Sequence, residues 1–107
     1  MGAAAIANQI LAEAIKVGGA TWTKIEKAAP LYVRGYAQSL TDIAEGVAAG
    51  EISKGDAKMF VANAKLLLIM GIANTSHIIL AQVQKFMDGV IKTLKTAINA
   101  SLPVAIL

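Results

Sequence analysis

The chain has 107 residues, 56% of them hydrophobic and only 16% charged, with a net charge of +3 and no cysteine. A chain this short forms one domain and can bury about 65% of its unfolded surface. So large an apolar excess therefore points to a partner or a membrane, while the missing cysteine excludes disulfides and thiolate chemistry.

The first element is predicted over residues 3–17. Ile6, Ile10, Ala14 and Val17 recur at helical spacing there, Leu11 and Ile15 widen the stripe, and Gly18-Gly19 closes it. This N-terminus lacks the basic region of a secretory signal and has Ile6 where myristoylation needs Ser or Thr, so neither classical export nor that anchor is expected. Thr23 followed by Glu26 has the spacing of a capping box, which predicts a second helix over residues 23–49. Pro30 lies too far inside that helix to be tolerated silently, so a kink or restart is expected near it. Trp22, Tyr32 and Tyr36, with Arg34 among them, would then pack around the elbow or sit at a membrane interface.

Ser53 and Asp56 mark another helix start. No proline follows until Pro103, so one long helix over residues 54–100 is predicted, with a weak point at residues 71–76. Residues 66–84 carry no formal charge, and Lys65 and Lys85 bracket them. As a helix this interval would measure roughly 28 Å, close to the ~30 Å of a bilayer core. Its nine Leu, Ile and Val residues favour insertion by roughly 3–5 kcal/mol. Asn74, His77, Gln82 and Gln84 would offset about 1–3 kcal/mol each if unpaired in lipid. A lone span is thus marginal, and the polar centre calls for other helices or a wet lumen. Beyond Leu80, Lys85, Asp88, Lys92, Lys95 and Asn99 share one face, opposite Val83, Phe86, Met87, Val90, Ile91, Leu94 and Ile98.

The expected fold is all-α, a single helical domain over residues 1–107 that assembles with other copies. Charge is uneven: residues 1–56 carry five basic and six acidic side chains, whereas beyond them five lysines face only Asp88. Such a basic, apolar half suits anionic lipid, but it has neither the arginine clusters nor the interleaved aromatics of sequence-specific nucleic-acid binding. Candidate helix-packing or lumen residues are Gly71, Asn74, Thr75, Ser76 and His77. Gly46 and Gly50 form a GxxxG and are candidates for a small-residue contact, although Gly50 would equally serve as a helix cap. Lys85, Lys92, Lys95 and Trp22 are candidates for contact with lipid or an acidic surface. His77, the only histidine, reads first as a hydrogen-bonded interior residue and otherwise as a pore-facing one.

No phosphate loop, nucleophile elbow or metal-ligand spacing is present, so neither a cofactor nor an enzymatic activity is expected. The expectation is a non-enzymatic, self-associating subunit of a membrane-associated ring, tube or channel, such as a viral ejection conduit. Its rival is a soluble oligomeric subunit of a virion or filament that never meets lipid.

Overall fold

The computed structural model describes residues 2–107, and all its regular structure is helical: α1 Ala3–Gly18, α2 Ala20–Ile25, α3 Ala29–Ala48, α4 Lys54–Ser76 and α5 Leu80–Ala100. α3 packs on α1 and α4, and α5 closes the bundle against those same two helices. The four long helices thus surround one cluster of buried side chains, including Ile6, Ile10, Val33, Leu40, Leu68, Ile72, Met87 and Ile98. Alanines 7, 14, 29, 37 and 44 are also buried, where their small side chains let α1 and α3 approach closely.

The breaks between elements have local causes. Gly19 adopts φ +50 and ψ −126, which no side chain tolerates easily, and so separates α1 from α2. The predicted capping box at Thr23 is not used: Thr23 lies inside α2, and its Oγ1 donates to Gly19 O at 3.4 Å. The helix expected over 23–49 is instead two helices. Pro30 stands in the first turn of α3, where its missing N–H leaves no bond unmade, so a restart rather than a kink occurs there. Ser53 caps α4 as predicted, its Oγ accepting from Asp56 N at 3.1 Å.

The long helix predicted over residues 54–100 is also divided, just beyond the expected weak point. Gly71 and Asn74–Ser76 all remain helical in α4, and His77 turns left-handed at φ 57 and ψ 40. His77 N–H bonds to Ala73 O, and Ile78 N–H reaches the same oxygen at 3.1 Å, which terminates the helix. The 66–84 interval is therefore not one continuous span. α5 buries Val83, Met87, Val90, Ile91 and Ile98, each such side chain contributing about 1.5–3 kcal/mol when fully covered.

Candidate interaction surfaces

α4 leaves more large apolar side chains exposed than any other helix. Met59, Phe60, Leu66, Leu67 and Met70 are all among the exposed large hydrophobic residues, with Leu67 the most open at 68%. Spacings of three, four and seven place most of them along one stripe on the side facing α3. Across the groove α3 presents Leu31, itself 62% exposed. Between the two helices runs a hollow of about 450 Å³ bordered by Leu31, Gly35, Ser39, Leu67, Met70 and Asn74. Nothing covers Gly35. On the outer side of α3, Arg34 lies at the end near Leu31, and exposed Asp42 and Glu45 lie about two and three turns further along.

α4 is long and apolar enough to cross a membrane by length and composition, and only 22% of its most apolar stretch is buried. A core helix of that composition would be covered on every side. A smaller apolar group occupies one end of the bundle. Ile79 and Leu80 at the α4–α5 turn are 74% and 44% exposed, and Ile15 and Val17 are exposed in the last turn of α1. A side chain built on Gly18 would lie 3.2 Å from Phe86 Cζ, so the end of α1 meets the start of α5.

Gly71 lies against the ring of Tyr32, which occupies the space a methyl group would need. The Tyr32 hydroxyl and Thr75 Oγ1 share a hydrogen bond of 3.1 Å. Gly71 and Thr75 thus serve a helix contact within the chain. Asn74 and His77 are exposed and Ser76 is half-buried, so His77 is not the interior histidine the sequence suggested. Gly50, at φ +77, ends α3 in a Schellman turn, with Glu51 N–H on Gly46 O at 2.9 Å and Gly50 N–H on Val47 O at 3.1 Å. Ile52 folds over Gly46 and leaves no room for a side chain. The Gly46 half of the GxxxG is therefore occupied by its own chain, and Gly50 is the helix cap.

Trp22 sits half-buried over Gly18, Tyr32 covers Gly71, and Tyr36 enters the core at 3% exposure.

On the opposite side of α4 lies a second groove, toward α5, of about 480 Å³. Lys92 and Lys95 border it together with Lys58 and Lys65 of α4, while Lys85 stands outside. Its floor is apolar, formed by Val61, Ala62 and Ile91 and by Ile106 and Leu107 of the folded-back tail. Asn99 pins that tail: its Oδ1 accepts from Ile106 N at 3.2 Å and Leu107 N at 3.0 Å, and its Nδ2 donates to Leu107 O at 3.2 Å. Lys65 Nζ stands 2.9 Å from Asp88 Oδ1, an ion pair without hydrogen-bond alignment and the only pair among the described residues. The Tyr36 hydroxyl is buried close by with no partner. Burial, and secondarily the Asp88 carboxylate, push its pKa up from 10 to about 12. The sequence offered the lysines of α5 but not their convergence with those of α4.

No group of three or more metal-ligating side chains occurs among the described residues. No family model, curated protein or solved structure matches this chain.

Proposed function

We propose that this protein is a non-enzymatic helical subunit whose α3–α4 face is covered by a second copy, as the repeating contact of a structural assembly. The observation that carries this reading is the unpartnered stripe Met59, Phe60, Leu66, Leu67 and Met70 with Leu31 beside it. These side chains leave on the order of 600 Å² of apolar surface in water, the upper end of what a monomer usually shows. A stable dimer covers about 800 Å² per partner, and the polar rim of Gln38, Ser39, Asn63 and Asn74 would supply the difference.

Charge supports an antiparallel copy. Two-fold symmetry about the middle of the groove would bring Arg34 of one chain toward Asp42 and Glu45 of the other, while a parallel copy would align like charges. The end patch of Ile15, Val17, Ile79 and Leu80 offers a separate contact through which such dimers could extend into a ring or tube.

The second reading is lipid contact, as in a membrane-associated channel subunit. It is favoured by the length and composition of α4. With the chain turning at His77, lipid would meet α4 alone, and Lys65 on its other side would stay tied to Asp88.

Light scattering after size separation, with and without detergent, tests both. Wild type is expected to be dimeric or larger in plain buffer, and Leu67→Lys should weaken association at least a hundredfold, roughly 2.7 kcal/mol, with helicity unchanged. Release only by detergent, with flotation on liposomes, would favour the lipid reading. A monodisperse monomer at high concentration that ignores liposomes would end both.

A further inference from the structure

We propose that the groove between α4 and α5 binds one single-chain anionic lipid, its headgroup held by Lys58, Lys92 and Lys95 and its acyl chain laid on Val61, Ile91 and Ile106. This site lies on the opposite side of α4 from the face assigned to self-association and does not depend on it.

Three features together define the occupant. Lys58 and Lys65 of α4 and Lys92 and Lys95 of α5 converge on one groove. Asp88 engages Lys65, and the other three have no ionic partner among the described residues. Like charges gathered on facing helices repel one another unless an anion joins them. The floor beneath them is apolar, which neither inorganic phosphate nor a sugar would use. Nor does the groove hold aromatic rings on which nucleic-acid bases could stack, apart from the edge of the largely buried Tyr36.

The groove also continues. Lys58, Lys95, Ile106 and Leu107 border a second hollow of about 490 Å³ that runs on to Val47, Lys54 and Val104. From Lys54 to Lys65 the helix rises roughly 16 Å, enough for an extended acyl chain of moderate length. A cationic rim over a long apolar trough is complementary to an anion with a hydrocarbon tail. The Asn99 clamp gives the trough one wall of fixed position.

The probe is dodecyl phosphate below its micellar concentration, titrated calorimetrically into the full chain. One molecule per chain is expected. Inorganic phosphate and the neutral dodecyl maltoside should each bind at least tenfold more weakly, since each satisfies half the site. Lys58→Gln with Lys95→Gln, two exposed positions whose change leaves the core untouched, should weaken binding about tenfold or more at unchanged helicity. Leu67→Lys should leave it unaltered. Binding that tolerates the double substitution, that the neutral detergent or free phosphate equals, or that Leu67→Lys removes would overturn the proposal, as would the absence of saturation.

Discussion

Replacing Tyr36 by Phe should make this protein more stable, against the general rule that core substitutions destabilise. The ring of Tyr36 is packed between α3 and the α4–α5 side of the bundle, and its hydroxyl is cut off from water with no partner. Burying such a group without a hydrogen bond costs roughly 1–3 kcal/mol, and Phe keeps the ring while removing that cost. A gain near the lower end, about 1 kcal/mol, is expected, because Asp88 nearby still draws some favourable interaction from the hydroxyl dipole. That corresponds to a melting temperature about 4–8 °C higher for a domain of this size.

The same geometry fixes the pH dependence. With its pKa raised from 10 to about 12, folded Tyr36 holds its proton where the unfolded chain has already released it. The stability it contributes is complete below pH 10 and is lost as pH rises toward 12, by up to about 3 kcal/mol. The informative quantity is the difference between the two proteins, which isolates the hydroxyl. Urea denaturation of wild type and Tyr36→Phe at pH 7, 9 and 11.5 should show a gap that is constant at first and then widens. A variant less stable than wild type at pH 7 would show that the hydroxyl has a partner after all, and a gap that stays constant to pH 11.5 would show that it meets water and keeps an ordinary pKa.

Two further substitutions separate packing from association. Gly71→Ala adds a methyl where the Tyr32 ring already lies; overpacking of about 1–3 kcal/mol outweighs roughly 1 kcal/mol of helix propensity, so thermal melting should drop by several degrees, and an unchanged melt would place Tyr32 elsewhere. Ile79→Ser gives α5 the capping side chain it lacks, in place of an isoleucine 74% exposed; a stability gain of about 1 kcal/mol by calorimetry is expected, accompanied by loss of higher-order species if the end patch joins subunits.

Much of the helical content was legible because periodicity and caps are local. The Ser53–Asp56 start and the apolar face of α5 follow from spacing alone, and Val83, Met87, Val90 and Ile98 are buried as that spacing requires. The Thr23–Glu26 signal misled because Gly19 nucleates α2 earlier, and Thr23 then bonds backward to it. The turn at His77 was one step beyond sequence reach: a left-handed histidine costs about 1–2 kcal/mol locally, and only the packing of α5 back onto α1 and α4 makes it worthwhile. The candidate surfaces were legible only in part. Asn99 belongs by spacing to the polar face of α5, yet it clamps a tail whose return no local rule foretells. Gly46 and Gly71 signalled close contact correctly in kind, but Ile52 and Tyr32 of the same chain fill the space beside them, and Gly50 has open space around it and acts as the helix cap.

The contrast between α4 and α5 bears most directly on what the protein does. The two helices are of similar length, 23 and 21 residues, and both pack on the same core. None of the apolar side chains of α5 beyond Leu80 is among the exposed large hydrophobics, whereas α4 contributes five. A fold able to hide one helix's apolar residues needs no bare leucines on its neighbour for stability, since a helix with one apolar stripe packs as well. Exposed leucine and methionine in a continuous stripe also invite aggregation, a liability that charge at Leu67 would remove. Folding of the single chain therefore does not account for the stripe, and the proposed self-association rests on that surplus. Of the available coverings, a second copy matches the charges of Arg34, Asp42 and Glu45 as well as the apolar area, whereas hydrocarbon matches the area alone.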